Sequence, residues 1–452
     1  MIDSRARPLV DREHGLVARR IFSDPALYEQ ELDRVFPRCW LFLAHESMLP
    51  RPGDFLTTAM GSDPVIVVRG KDGELRAFLN TCRHRGNRVC LFDQGNASTF
   101  ACSYHGWSYN TEGELTGVPF AREAYYERLD RSEWGLPAVP RLRNYAGYLF
   151  GCWDDAAPDF EEYLGDLKWY WDLFMCATWN GGLEVVNGPH RYMVPGNWKI
   201  MAENLMGDHY HTSVTHGSFF KLGQVQNRGG YEDVQNPNGP FEVAMRPAHG
   251  CGGVYTGQVA FERDLQIAER MGPDVVDYTR ERYQRLQRLI ADVPCQPYSV
   301  GHGGMFPNFC WSGNSSATSG RTFYLLQPKG PLQTEVWVWY MVEQGAPRAV
   351  REAHASVGGR AGQLASGFFA QDDAENFERV TESSRGVLAR RFPFNYQMQL
   401  GREGDWEGQA DWNISGLPGQ VGPRFGESIQ RQFFGYWSEM MGHPTEGGSA
   451  CE

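Results

Sequence analysis

The sequence predicts an α+β protein, with a small all-β domain near the N-terminus and a larger domain of long strands and helices after it. Three observations carry that prediction. Strand-like runs crowd together between residues 40 and 155, and turn signals such as Lys71-Asp72-Gly73 and Thr111-Glu112-Gly113 separate them. After Pro158 helical periodicity takes over. Within that second stretch TEVWVWYMVE (334–343) is rich in β-branched and aromatic residues, as a long antiparallel strand is. Strands in a run, then helices among longer strands, is the α+β order.

The elements follow in chain order. Residues 24–36 (DPALYEQELDRVF) place apolar side chains at helical spacing, with Pro25 in a natural first-turn position. The strand runs of the first domain are Phe55–Thr58, Val65–Arg69, Leu75–Asn80, Thr99–Cys102, Trp107–Tyr109 and Tyr145–Cys152. In the second domain Asp159–Phe174, Asn197–Thr212, Arg263–Leu289 and Arg348–Leu388 read as helices, and Thr322–Gln327 and Thr334–Glu343 as strands.

At 452 residues the chain has room for two to four domains of roughly 100–200 residues each. The 43 Lys and Arg against 55 Asp and Glu give a net charge of −12, which disfavours a nucleic-acid binder. No apolar run is long enough to span a bilayer, and MIDSRARPLVDREHG lacks the apolar centre of a secretory signal, so a cytoplasmic protein is expected. Ten cysteines are too sparse here for a disulfide scaffold and point to metal or catalytic use. Neither a 20–50-residue repeat nor a low-complexity tract is visible. A complete G-x-G-x-x-G or Walker A pattern is also missing, because Gly250-Cys-Gly252 and Gly301-His-Gly303 lack the third glycine.

Two constellations carry chemistry. In the β domain Cys82-Arg-His84 precedes Cys102-Ser-Tyr-His105, with 17 residues between them. A structural Cys2His2 zinc site is the plain reading, but zinc fingers pair Cys with Cys and His with His on a ββα unit. One thiolate and one imidazole on each loop suits a [2Fe–2S] cluster of the Rieske type, whose potential lies at about −150 to +300 mV. Gly86 and Gly106 fit, since small residues let backbone N–H groups approach the sulfurs, and Trp107 follows the second of them. The remaining cysteines have no partner at ligand spacing and read as small buried hydrophobes.

The second constellation is NWKIMAENLMGDHYHTSVTH (197–216). On a continuous helix Asn204, Asp208 and His211 fall within about 60° of one another. His216 falls about 140° away, so His211 and His216 share a metal only if the helix breaks between them. Thr212–Thr215 is poor helix sequence and offers such a break. Two imidazoles and a carboxylate make the facial triad of a non-haem Fe(II) oxygenase. A third ligand is available in or just after GFFAQDDAEN (367–376), where Asp372, Asp373, Glu375 and, two residues beyond it, Glu378 all qualify by chemistry; Phe369 would set an apolar wall one turn before Asp373. Taken alone, a His-rich helix end reads as a capping or surface feature, and the acids as a solvated face.

LYEQELDRVFPRCWLFLAHES, the CRHRG and CSYHGW boxes, ENLMGDHYHTSVTH and FFAQDDAEN together resemble the large (α) subunits of Rieske non-haem iron ring-hydroxylating dioxygenases, the naphthalene- and biphenyl-type group. The resemblance covers most of the chain. It implies an all-β Rieske domain (40–155) inserted near the N-terminus of a helix-grip catalytic domain made of residues 1–39 and 156–452. It assigns Cys82, His84, Cys102 and His105 to the cluster, and His211, His216 and Asp373 to one mononuclear iron. Asp208 becomes the acid bridging an iron-ligand His to a cluster His, and Asn204 an iron neighbour. Leu205, Met206, Phe369 and Gln363 become pocket residues. Gln363 departs from the aromatic wall of the hydrocarbon-oxidising relatives, which keeps a carboxylated arene such as a phthalate or benzoate as an alternative substrate.

The implied reaction is cis-dihydroxylation of an aromatic ring, with an aromatic or polycyclic hydrocarbon favoured. Dioxygen is the co-substrate, and NAD(P)H electrons arrive through ferredoxin and reductase partners. The implied assembly is α3β3 with a small β subunit, or else α3. A reading of another class, a Rieske electron-transfer protein without oxygenase activity, accounts for the first constellation but leaves His211, His216 and Asp373 without a role.

Overall fold

The computed structural model describes residues 8–218, 221, 241–313, 315–360, 370–402 and 416–443. The chain divides into two compact units, one formed by the N-terminal 35 residues together with Glu161–Glu452, the other by Phe36–Phe160. It therefore starts in the larger unit, leaves for the smaller one and returns.

The smaller unit is built from three antiparallel sheets. One has four strands in the order Leu75–Leu79, Asp63–Arg69, Asp54–Met60, Gln94–Asn96. A second orders Arg141–Tyr145, Tyr148–Cys152 and Leu41–His45, and the third Leu115–Gly117, Ser108–Asn110 and Thr99–Ala101. Phe55, Ile66, Val68, Phe78, Phe100, Trp107, Tyr109 and Leu115 fill one core, and Cys82 and Cys102 are buried in the same cluster. The two cysteines thus stand at the edge of an apolar interior.

The larger unit centres on one long antiparallel sheet. Its order is Leu183–Val194, Thr334–Glu343, Arg321–Pro328, Phe309–Ser312, His302–Met305, His249–Thr256, Phe241–Met245, Gln420–Gly422. Leu183–Val194 was not expected as a strand. It contains Gly188 and Pro189, which read as breakers, and its pairing with Thr334–Glu343 shifts register just before that dipeptide and again across it. The predicted helix Arg263–Leu289 is two helices, Gly257–Met271 and Pro273–Leu289. Pro273 has no N–H to continue the first helix and sits comfortably at the start of the second. Of the predicted helix Arg348–Leu388, the structure shows Arg348–Arg360 and Ala370–Ser383.

Helix Trp198–Gly207 carries the segment of interest across the sheet. It is held by a buried anchor at Glu31 on the N-terminal helix Pro25–Arg34, whose N-cap Asp24 accepts the Ala26 N–H. Glu31 pairs with Lys199 and accepts from Trp198 Nε1 at 2.8 Å and Trp437 Nε1 at 3.0 Å. Lys199 and Glu31 are 1% and 0% exposed, so removing either partner would strand a buried charge. Among the described residues no helix is long and apolar enough to cross a membrane.

Candidate metal centres

In the smaller unit, two loops of the same design present the Cys–His pairs. Each closes through the glycine four residues after its cysteine. Gly86 N–H donates to Cys82 O and Gly106 N–H to Cys102 O, both at 2.9 Å. Both glycines have φ of 72°, in the left-handed region that L side chains rarely adopt. The cysteine N–H groups in turn donate to Asn87 O and Trp107 O, each at 2.8 Å. The His84 and His105 ring centroids lie 4.5 Å apart, and His84 stacks on Trp107 at 5.0 Å and 8°.

Two thiols and two imidazoles on facing loops fit a [2Fe–2S] cluster, and the surroundings support that use. The Nδ1 of His84 is buried and has no hydrogen-bond partner among the described residues, as a ligand nitrogen would be before coordination. Burial alone would raise the Cys102 thiol. Backbone N–H groups of Tyr104 and His105 and the Asn87 amide outweigh it and draw the thiol below its ordinary value, toward the thiolate a metal needs. Tyr109 OH lies 3.5 Å from Cys82 Sγ, and Asn87 Nδ2 lies 3.7 Å from Cys102 Sγ. These two polar neighbours were missed in the sequence because neither is itself a ligand type. Asn80 holds the first loop from behind, accepting from the Val89 and Cys90 N–H groups at 3.0 and 2.9 Å.

In the larger unit, the expected helix Asn197–Thr212 stops at Gly207. Any side chain there would meet Ile429 on helix Ser428–Met440, with Ile429 Cδ1 at 2.7 Å from the added Cβ. Asp208, at φ −89° and ψ 87°, then leaves the helical path. The break therefore comes before His211, and Thr212–Thr215, expected as the break, is a single helical turn instead. The Asp208 carboxylate replaces lost backbone partners, accepting the His211 N–H at 3.1 Å. That turn swings His216 back so that the His211 and His216 ring centroids are 5.2 Å apart.

Asp373, on helix Ala370–Ser383, completes the group. Its Oδ1 is 3.4 Å from His211 Nε2 and 3.1 Å from His216 Nε2. Asp372 reaches only the far nitrogen of His216, at 3.7 Å. Glu375 points outward and pairs with Arg379, and Glu378 is exposed. Of the four acids considered, Asp373 alone lies with both imidazole Nε2 atoms. Two imidazoles and one carboxylate suit an iron(II) with positions left open.

On its other edge His211 meets Asp208, with Nδ1 and Oδ2 3.3 Å apart. The Asn204 amide lies 3.2 Å from the same Nδ1 and 3.4 Å from Asp208 Oδ2. Burial would raise the Asp208 carboxyl, but the hydrogen bond from the His211 ring and that ring's charge bring it below its ordinary value. The same pair lifts His211 above its own ordinary value against the effect of burial.

Asp373 also belongs to the lining of an apolar cavity of about 60 Å³, with Val194, Met201, Leu205, Leu326, Val336 and Phe377. Tyr192, Ser312 and Tyr324 add hydroxyls to its wall, and Ser312 Oγ is 3.0 Å from Tyr324 OH. These three were missed in the sequence, since strand residues on different segments show no shared spacing. Leu205 lines the cavity. Met206 does not, because the helix turns it toward the sheet, where a Cβ at Gly304 would lie 2.6 Å from its Cγ. Gln363 and Phe369 lie outside the described residues.

An all-β unit with paired Cys–His loops, joined in one chain to an antiparallel-sheet unit with a His–His–Asp group, defines the Rieske class of oxygenases. Residues 39–142 match the Rieske [2Fe-2S] domain, and residues 161–441 match the ring hydroxylating alpha subunit (catalytic domain). The chain belongs to the alpha-subunit family of aromatic ring-hydroxylating dioxygenases. It is 38% identical to the biphenyl dioxygenase subunit alpha of Metapseudomonas furukawaii, over 97% of this chain and 93% of that one. It is 36% identical to the benzene 1,2-dioxygenase subunit alpha of Pseudomonas putida, over 98% and 94%. Among solved structures, a naphthalene 1,2-dioxygenase variant bound to phenanthrene superposes with a TM-score of 0.83 at 30% identity, covering 98% of this chain and 96% of that one. The naphthalene 1,2-dioxygenase of Rhodococcus sp. bound to indole gives 0.78 at 33% identity, with 94% of each chain covered. A bare electron carrier, the reading of another class, is not favoured, because the match continues through the catalytic domain.

Proposed function

We propose that this chain cis-dihydroxylates a neutral aromatic hydrocarbon. Cys82, His84, Cys102 and His105 would hold a [2Fe–2S] cluster, and His211, His216 and Asp373 one iron(II). One observation carries the proposal: Asp373 stands at once in the His–His–Asp group and in the wall of the apolar cavity. When bound, the iron supplies open positions where dioxygen meets the ring, and the cluster supplies single electrons.

The residues of the chain prepare that meeting. Val194, Leu205, Leu326, Val336 and Phe377 form an apolar wall that excludes water and would part around an inert ring, since the roughly 60 Å³ among the described residues is less than an arene occupies. Asp208, 3.3 Å from His211 Nδ1, favours a proton there and keeps the Nε2 lone pair toward the metal position. The described lining contains no Lys, Arg or His that would pair with a carboxylate, so the hydrocarbon is favoured over a phthalate or benzoate. Ser312 and Tyr324 hydrogen-bond to each other at 3.0 Å, so neither of these two hydroxyls depends on the substrate for a partner. Electrons would come from NAD(P)H through a reductase and a ferredoxin, and a cytoplasmic enzyme fits that supply. An α3β3 assembly is the arrangement we favour, with α3 as the alternative.

Asp373→Ala tests the assignment. It removes one of three protein ligands without touching the smaller unit. Iron should fall from about three to about two per chain while the Rieske spectrum persists. cis-Diol formation from biphenyl, benzene and naphthalene should be lost. Full activity in this variant would show that another carboxylate, Asp372 first, holds the iron.

A further inference from the structure

A second compact group of metal-ligand side chains lies in the larger unit, apart from His211, His216 and Asp373. It consists of His209, Glu242 and His302, whose donor atoms all lie within 4.8 Å of one another. Three separate segments bring them together: the turn after helix Trp198–Gly207, strand Phe241–Met245 and strand His302–Met305. His209 is 8% exposed and Glu242 2%.

The middle strand makes room for them. His249–Thr256 runs between the other two strands, and its Gly252 is paired with His302. A Cβ on Gly252 would sit 2.5 Å from His302 Nε2 and 3.2 Å from Glu242 Cγ. Only the missing side chain leaves the recess in which these groups meet. Gly253, next to it, would bring a Cβ to 3.3 Å from His209 Cε1.

The hydrogen bonds point the donor atoms inward. His302 Nδ1 is 3.2 Å from Leu205 O, so an N–H there orients the ring and leaves Nε2 as the donor atom. Outer contacts of that kind accompany histidines that ligate metals. His302 Nε2 is 2.7 Å from His209 Nδ1, and His209 Nδ1 is 3.6 Å from Glu242 Oε1. Oε1 is buried and takes no hydrogen bond among the described residues. Tetrahedral zinc with bonds of 2.0–2.1 Å separates its ligand atoms by about 3.3 Å. The observed separations fall on either side of that value, so a small opening of the imidazole pair would admit an ion. The competing arrangement is metal-free: burial and the nearby Asp208 charge push the Glu242 carboxyl well up, the His209 N–H and Arg424 offset this only in part, and the two imidazoles share one hydrogen bond.

We propose that His209, Glu242 and His302 form a structural site for a divalent transition ion of the zinc type. Its place in the chain gives it a use. His209 follows Asp208 directly, so an ion held there would pin the turn that aims Asp208 at His211.

The test is made in the Asp373→Ala protein, so that the mononuclear iron does not obscure the count and failure of either assignment shows separately. Metal analysis of the intact protein should give one zinc-type ion per chain beyond the cluster iron. Titration with zinc alone against a chromogenic chelator should give stoichiometric uptake. In Glu242→Gln, which keeps shape and hydrogen bonding, zinc affinity should fall by roughly 100-fold or more. His302→Gln gives a second variant should the first fail to fold, and anomalous scattering at the zinc edge places the ion without any variant. Uptake no greater than in Glu242→Gln, or an extra ion that survives both substitutions, would overturn the proposal.

Discussion

Asp208 is the residue on which the larger unit turns. It ends one helix, accepts the His211 N–H and sits 3.3 Å from the His211 ring. We predict that Asp208→Asn keeps the cluster spectrum and the mononuclear iron yet lowers turnover roughly 10–100-fold, as loss of a carboxylate behind a metal-ligating histidine does. Stopped-flow reoxidation of the reduced cluster with arene and dioxygen reads this directly. An unchanged rate would remove Asp208 from the electron path. The Cys–His loops were fully legible in the sequence, because each is a local turn whose ligands lie within four residues. His211 and His216 were legible as residues but not in geometry, since the packing of Gly207 on Ile429, far away in sequence, decides where the helix ends. Asp373 could be told from Asp372 only once its helix was placed against both imidazoles.

Among the elements, the paired strands Arg321–Pro328 and Thr334–Glu343 are locked at one end by a buried ionic cluster. Glu343 accepts from Arg282 Nη2 at 2.9 Å, Arg321 Nη2 at 2.8 Å, Asn180 Nδ2 at 2.5 Å and the Tyr278 hydroxyl. Glu343→Gln would leave two buried guanidinium groups short of an anion, at a cost of about 3–5 kcal/mol. A fall in thermal stability with unchanged metal content is the expected result. Burial alone would raise the Glu343 carboxyl, but Arg282 and Arg321 hold it far below its ordinary 4.5. With a depressed folded value, its contribution is whole above pH 4.5 and fades as pH falls below that. The melting-temperature gap between wild type and Glu343→Gln should therefore narrow on acidification from pH 5, and a constant gap would contradict the assignment. The partners of Thr334–Glu343 were less legible than the strand itself. Leu183–Val194 hides behind Gly188 and Pro189, and only the ladder beside it makes it a strand.

On the scale of the molecule, the order of the two units was legible because each carries its own local boxes. The substrate was not, because the cavity draws on strands and helices spread from Tyr192 to Phe377, and Gln363 and Phe369 lie outside the described residues. The two metal groups lie in different units of the chain, and we propose a ring of three α subunits. In that ring each iron would be served by the cluster of a neighbouring subunit through Asp208 and the neighbour's His105. Mixing two inactive variants tests this most directly. Asp373→Ala lacks the iron, His105→Ala lacks a working cluster, and differently tagged copies allow mixed trimers to be isolated. Each isolated mixed trimer has one junction of three that pairs an intact iron with an intact cluster, so it should restore roughly a third of wild-type cis-diol formation, against roughly a quarter in the unfractionated random mixture. Mixed trimers that carry both tags, retain both metals in the expected chains and still form no product would contradict the account.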